Sequence, residues 1–243
     1  MKKLILSLTL AGAAALAAKA STVSSANTFG VLKVASLTKE TIICVPWMAV
    51  GTGEAPVNAT NLVMSSNLSV GDTLHYYNKS TEKFDSWEVD NNNAWSSTLS
   101  VSSSTLGSAA VISAAGSQNA SRGDALIVVR KDTDKPIYLY GQYTSQAFTG
   151  GSITPNAWNL IAPPNTSSSA FDLNSNATWS KVDEKDYIVV NTAGGPAVRL
   201  TYKNNAWGRN VAGSWSTASA VIQPGQGAWY VSAGAEAPSY VIK

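Results

Sequence analysis

The sequence contains one cysteine and one histidine in 243 residues, and only 13% of its residues are charged. The single cysteine, Cys44, cannot form an internal disulfide, so the fold must be stabilised by its core. One histidine, His75, leaves the chain without the clustered ligands of a zinc site and without a recognisable nucleophile triad. We therefore expect no metal, no cofactor and no catalytic residues. Because His75 lies in an alternating strand pattern, we predict that it is a surface or edge residue.

Long apolar runs are also scarce, and the only one is at the N-terminus. Lys2 and Lys3 precede an apolar stretch, and Ala18-Lys19-Ala20 has the small-x-small form of a cleavage site. The stretch is shorter than the roughly 20 apolar residues that span a bilayer. The pattern predicts a signal peptide over residues 1–20, a mature chain that begins at Ser21 without a transmembrane segment, and a secreted, extracellular or periplasmic location.

Basic clusters are absent as well. The predicted cleavage removes three lysines and no acid, so 14 basic residues remain against 15 acidic ones, a net charge of −1. Recognition of phosphate groups needs a concentrated basic face. The composition therefore excludes nucleic acid as a partner.

Short runs of β-branched and aromatic residues make up most of the mature chain. They are separated by clusters of Asn, Gly, Asp, Pro and Ser, which is typical of strands joined by turns. The Asn-rich triplets at 91–93 and 203–205 predict hairpin turns, because Asn tolerates the left-handed conformation. No segment after the leader has an apolar stripe of helical period over three turns. The sequence predicts an all-β fold of sandwich or barrel type.

The two halves of the chain share short motifs in the same order. The matched residues are Pro46 with Pro163, Asp72 with Asp186, Asn92-Asn93-Ala94-Trp95 with Asn204-Asn205-Ala206-Trp207, and Gly123 with Gly225. Shared order indicates internal duplication. We predict two tandem, related β-sandwich or barrel-like units at 21–148 and 149–243, after the cleaved signal peptide at 1–20. The Ser- and Ala-rich stretch 96–121 contains the first half's extra length and is predicted to be a loop.

These motifs resemble a family of exported bacterial proteins of unknown function, which repeat the pattern Asn-Leu-Ile-x-x-Pro, Gly-Asp, Trp and Pro-Gly-x-Ala-Trp. The second half is similar to it, with Asn159-Leu160-Ile161-Ala162-Pro163 and residues 224–229, although each spacing differs by one residue. The first half departs from it, with Arg122 in place of Pro and Leu126 in place of the aromatic residue. The resemblance implies a protein of the bacterial envelope and brings no established reaction and no functional residues.

Eight tryptophans are the remaining signal. Trp158 and Trp229 have apolar strand neighbours and are predicted to lie in the core. Several others have polar neighbours, and an exposed flat ring can stack on a sugar while nearby amide and guanidinium groups bond its hydroxyls. The alternative is that each ring caps the end of a core. The predicted binding residues are Trp95, Trp207, Trp215, Asn205 and Arg209.

Three functions are compatible with these features. The favoured one is a secreted, non-catalytic interaction module that binds a glycan or another surface polymer. The second is a structural subunit of a cell surface or matrix with no small ligand, and the strand at 31–34 offers an open edge for self-association. The third and least favoured is a glycoside hydrolase that uses paired carboxylates, with Asp85 and Glu88, or Asp183, Glu184 and Asp186, as candidates.

Overall fold

A computed structural model describes residues 29–34, 39–46, 57–78, 83–96, 111–113, 119–132, 135–142, 148, 150–164, 169–192, 196–218 and 220–243. The predicted signal peptide at 1–20 lies outside these residues. Within them, no helix has the length and apolar character needed to cross a membrane.

The regular secondary structure of the described residues is almost entirely β-strand, which confirms the all-β prediction. The strands up to residue 142 are β1 (Phe29–Val34), β2 (Glu40–Cys44), β3 (Val57–Asn58), β4 (Thr73–Asn78), β5 (Lys83–Val89), β6 (Trp95–Ser96), β7 (Val111–Ser113), β8 (Asn119–Ala120), β9 (Ala125–Val129) and β10 (Ile137–Gln142). The helical elements are one turn of α-helix, α1 (Ala59–Leu62), and a 3₁₀ turn (Ser65–Asn67).

The strands after residue 150 are β11 (Gly151–Ser152), β12 (Trp158–Ile161), β13 (Phe171–Asp172), β14 (Ala177–Ser180), β15 (Tyr187–Val190), β16 (Val198–Lys203), β17 (Ala206–Val211), β18 (Ser214–Ser216), β19 (Val221–Ile222), β20 (Ala228–Val231) and β21 (Ser239–Ile242). The hairpin predicted at 203–205 is confirmed. Its two-residue turn, between β16 and β17, places Asn204 and Asn205 at φ of 53° and 59°, as this type of turn requires.

Two large sheets have corresponding strand orders. The first sheet runs β2-β9-β4-β5-β6, with β7 beside β5, and the second runs β12-β20-β15-β16-β17-β18. Their registers also correspond: Trp95 lies opposite Val89 in the first sheet, and Trp207 lies opposite Tyr202 in the second. Trp95 and Trp207 therefore occupy matching places. The boundary between residues 148 and 149 stays a prediction.

The structural match between the first strands differs by one residue from the match read off the sequence. Ile43 pairs with Leu126, and Ile161 pairs with Ala228, so Val45 and not Pro46 corresponds to Pro163. The Val45 N–H donates to the carbonyl of Asp124 at 2.9 Å, a bond that a proline cannot make. Ladder pairing, and not the shared proline, sets the register here.

Each large sheet covers a core with one face. The first core lies between the first sheet, the β1–β10 pair and α1, and the second lies between the second sheet, the β11-β21-β14 sheet and the β13–β19 pair. This layered arrangement is that of a sandwich. Among the described strands, β10 is the only partner of β1, and pairing of the other edge of β1 with a second subunit stays a prediction.

A third cluster joins the two sheets through their other faces, which we call the outer faces. It contains Ile42, Cys44 and Ile127 from the first sheet, packed with Leu160, Ala162 and Trp229 from the second sheet and the residue after it. Backbone bonds accompany this shared cluster: the Cys44 N–H donates to Gly225 at 2.9 Å, and the Gly227 N–H donates to Ile42 at 3.0 Å.

The stretch 96–121 is not a simple loop. Within it, β7 pairs in parallel with β5, and β8 pairs with β3. The prediction of a loop without strands is therefore wrong for these residues. Low sequence complexity hides such strands, because Ser and Ala carry little of the apolar alternation by which a strand is recognised. The rest of the stretch lies outside the described residues, apart from Ser96, which ends β6, and Ser121.

Candidate functional site

The five predicted binding residues do not form one site. Trp207 is fully buried, with none of its surface exposed, which contradicts its prediction as a binding residue. Strand alternation directs it towards the core beside Tyr202, and its ring packs at 5.3 Å from Trp179 and 5.6 Å from Tyr230, centroid to centroid. Asn174 holds its backbone by accepting from the Trp207 N–H at 2.8 Å and donating to its carbonyl at 3.0 Å.

Three others lie apart from each other. Trp95 is half-buried against the first core, and its indole N–H donates to the carbonyl of Val63 at 2.8 Å. Asn205 is exposed in the β16–β17 turn. Arg209 lies two residues beyond Trp207 on β17, and therefore on the same face of the strand as Trp207.

Trp215 lies on the opposite face, the outer face of the second sheet. Gly208 pairs with Thr201, whose neighbours in the strand, Leu200 and Tyr202, point to the core, so residue 208 faces outwards. A Cβ at Gly208 would stand 2.8 and 3.0 Å from two carbons of the Trp215 indole. The absence of a side chain at 208 therefore allows the half-buried Trp215 ring to lie over the sheet.

Three further aromatic rings occupy the same outer face. Trp158 pairs with Val231, Val231 pairs with Tyr187, and Trp229 lies two residues before Val231, so all of these side chains point to one side. The prediction that Trp158 is a core residue is wrong, because 63% of its side chain is exposed. Trp229 is half-buried and packs against the shared cluster.

These rings hold each other in place. The Trp158 centroid is 5.8 Å from that of Trp229 and 6.2 Å from that of Tyr187, with interplanar angles of 80° and 87°. Edge-to-face packing at such distances is favourable. On the other side of Tyr187 in the sheet, the exposed Arg199 places its guanidinium carbon 3.9 Å above the tyrosine ring, a cation–π contact.

We call Trp158, Trp229, Tyr187, Arg199 and Trp215 the platform. They extend from β12, at one edge of the second sheet, to the β17–β18 hairpin at the other edge. Four strand spacings separate β12 from β17, which amounts to about 19 Å. The platform is long enough to contact several units of a polymer.

The charge on this face is of one sign. The six strands of the second sheet contain Arg199, Lys203 and Arg209 and no aspartate or glutamate. Lys203 and Arg199 alternate with core residues on β16, so both point to the outer face, and both are exposed. The platform therefore carries positive charge beside its rings.

The first sheet has no such platform. By the register that both sheets share, its residues at the places of Trp158, Tyr187 and Trp229 are Glu40, Thr73 and Ile127. None of these is aromatic, and Thr73 and Ile127 are buried. At these three positions the first sheet therefore has no aromatic ring; the rings on its outer face, Tyr77 and Phe84, lie elsewhere on β4 and β5.

His75 is on the outer face of the first sheet and is only 5% exposed, so the prediction of a surface or edge residue is wrong. Its Nδ1 lies 2.7 Å from the hydroxyl of Ser86, and its Nε2 lies 2.7 Å from the hydroxyl of Thr73. Burial lowers the pKa of His75 to about 4. A nucleophile triad would have a carboxylate on the second ring nitrogen, and here that place is taken by Thr73. The cluster satisfies the polar atoms of a buried histidine.

The carboxylate candidates do not converge. Asp85 lies opposite Tyr76, which packs against the first core, whereas Glu88 lies opposite the outward-facing Thr73. The two are three residues apart on one strand and so point to opposite faces. Asp186 is fully buried, and both of its oxygens accept hydrogen bonds, from the Tyr230 hydroxyl at 2.6 Å and the Ala233 N–H at 2.7 Å among others.

Among the described residues, no group of three or more His, Cys, Asp or Glu side chains is placed to hold a metal ion. Comparison with known proteins adds no assignment: no protein-family model, no curated protein and no solved structure matches the chain. The candidate site therefore rests on the geometry of the platform.

Proposed function

We propose that this protein is an exported, non-catalytic module that binds polysaccharide through the platform on its second sheet. The observation that carries the proposal is Trp158. A large indole that is 63% exposed, at the start of the edge strand β12, gives up the stabilisation that burial would bring. Such exposed aromatic surface is typical of a binding face.

The chemistry of the face suits a sugar polymer. The apolar faces of pyranose rings stack on indole and phenol rings, while hydroxyls bond to polar groups at their rim. Trp158 is held at nearly right angles to both Trp229 and Tyr187, so little side-chain entropy is lost on binding. Burying one ring face contributes roughly 1–3 kcal/mol, and two ring groups about 19 Å apart add avidity along a chain.

Replacement of Trp158 tests the proposal. We expect Trp158→Ala to weaken binding to a retained polysaccharide at least tenfold, a loss of about 1.4 kcal/mol, in affinity gel electrophoresis against a panel of soluble polysaccharides. The melting temperature should stay within a degree or two, because most of the ring is already in solvent. Val241→Ala is the matched control: Val241 is 54% exposed on β21, in the layer on the far side of the second core.

Two results would contradict the proposal. One is that no polysaccharide of the panel retards the wild-type protein. The other is that Trp158→Ala and Val241→Ala bind equally well. If Trp158→Ala instead abolishes self-association in sedimentation experiments and polysaccharides have no effect, the platform is an interface between copies of the chain.

A further inference from the structure

From the charge on the platform, we propose that its ligand is an acidic polysaccharide, one whose sugar units carry carboxylate or sulfate groups. This inference rests on the proposed function and makes it more specific. It assigns Arg199 as the residue that recognises the acidic group and Lys203 as a second positive charge on the same face.

Arg199 is positioned for this role by Tyr187. Its guanidinium carbon lies 3.9 Å above the centre of the tyrosine ring, so the guanidinium is in contact with the face of the ring. The N–H donors of a guanidinium point outwards in its own plane and match the two oxygens of a carboxylate or sulfate. Contact with the ring therefore holds the group over Tyr187, and because Arg199 is exposed, donors of the group are available at the surface.

The ring that would contact the sugar is close to this charge. Trp158 packs edge-to-face on the same Tyr187, with 6.2 Å between centroids. A sugar ring over Trp158 would thus have its substituents within reach of Arg199, with Tyr187 as the common support. Stacking of the sugar and pairing of its acidic group are then made by neighbouring side chains.

No negative charge from the strands of this sheet opposes an anionic ligand. None of the six contains aspartate or glutamate. Asp186, immediately before β15, is fully buried, and it bonds to Tyr230, which belongs to the core. The mature chain as a whole is close to neutral, so the positive charge of this face is local. Charge complementarity therefore favours an acidic polymer over a neutral one.

Matched pairs of polymers test this inference. We would compare polygalacturonate with its carboxyl-reduced form, alginate with its carboxyl-reduced form, and chondroitin sulfate with its desulfated, carboxyl-reduced form. Affinity gel electrophoresis and titration calorimetry at low ionic strength should show at least tenfold tighter binding to the acidic member of one or more pairs. The preference should shrink in 0.5 M NaCl, because salt screens exposed charges.

Variants separate charge from stacking. Arg199→Gln should reduce the preference for the acidic member to less than threefold, and Lys203→Gln should reduce it partly. Lys181→Gln removes the same charge from an exposed site that pairs with Glu236 at 3.4 Å, away from the platform, and should keep the preference. Trp158→Ala should weaken binding to both members of a pair.

Three other outcomes would contradict the inference or the proposed function. Equal, Trp158-dependent binding to acidic and neutral polymers in every pair would overturn the inference and leave the proposed function intact. An acidic preference that survives Arg199→Gln would also overturn it. Failure of the wild-type protein to bind any polymer, acidic or neutral, would overturn both the inference and the proposed function.

Discussion

At the scale of single residues, alternation along a strand determines whether a side chain is buried or exposed. Trp207 has Asn, Gly and Arg neighbours, yet it lies in the core, and Trp158 has apolar neighbours, yet it lies in solvent. Composition around a residue was a poor guide in both cases, because neighbours along a strand point to opposite faces. The sequence did contain one signal for the platform. In Val198–Lys203, Arg199 and Lys203 alternate with core residues, which indicates that they lie on the outer face.

The burial of His75 predicts how the stability of the protein depends on pH. The folded protein favours neutral His75, since burial lowers its pKa to about 4, whereas an unfolded chain titrates near the ordinary value of 6.5. The unfolded state therefore takes up the proton first as the pH falls. Stability from this group is complete above about pH 6.5 and is lost towards pH 4, with a slope of at most ~1.4 kcal/mol per pH unit.

Urea unfolding at pH 7, 6 and 5 measures that slope. In His75→Gln, which cannot take up a proton, the free energy of unfolding should fall less between pH 7 and 5 than in the wild-type protein. The comparison removes contributions from carboxyl groups such as Glu40, whose pKa is raised by burial and which both proteins share. Parallel pH profiles for the two proteins would show that His75 does not titrate as described.

At the scale of elements, the turns before β4 and β15 are built in the same way. Asp72 accepts from the N–H groups of Ser69 and Lys131 at 2.9 Å each, and Asp186 accepts from those of Asp183 and Ala233 at 3.1 and 2.7 Å. An aspartate that binds backbone amides in this manner fixes a turn. The sequence indicated these turns, because Asp precedes a strand at both places.

The third partner of each aspartate differs between the halves and could not be predicted. Asp72 pairs with the guanidinium of buried Arg130 at 3.4 Å, and Asp186 accepts from the Tyr230 hydroxyl at 2.6 Å. Arg130 follows β9, and Tyr230 lies within β20, so these contacts depend on tertiary pairing over 58 and 44 residues. No local pattern in the sequence specifies such a pairing.

Asp186 gives a prediction for the turn before β15. All three of its partners are donors, so Asp186→Asn places an amide N–H against another donor at a buried site. We expect a loss of roughly 1–3 kcal/mol in the free energy of unfolding, measured by urea denaturation. Asp183→Asn, in the exposed part of the same turn, should cost less. Equal stability of Asp186→Asn and the wild-type protein would contradict this account.

For the whole molecule, the sequence predicted the fold class and the order of matched motifs, but not how the halves meet. The shared cluster is made by outward residues of both sheets, and a sequence pattern does not distinguish an outer face that meets another sheet from one that meets solvent. For the same reason the sequence did not predict the platform as a whole, although Trp215 was among the predicted binding residues.

Cys44 reports on the shared cluster, since it is the sole cysteine and is fully buried there. We expect slow reaction with a thiol reagent in the native protein. Ala162→Asp places a charge in the cluster and should raise the labelling rate at least tenfold, because an unpaired buried charge is costly. Ala235→Asp, at an exposed site, should leave the rate unchanged. Immediate labelling of the native wild-type protein would mean that the cluster is open.

The composition of the shared cluster affects which substitutions this protein can accept. Ile42 and Leu160, Cys44 and Ala162, and Ile127 and Trp229 are matching positions that meet in one contact, as the two copies of a patch do in a two-fold homodimer. A homodimer must present the same surface twice, so any substitution appears on both sides. In a single chain the two sheets are free to differ. One sheet can bury His75 between the hydroxyls of Thr73 and Ser86 while the other carries Trp158, Trp229, Tyr187, Trp215 and Arg199 on its outer face, an asymmetry that no pair of identical subunits can have.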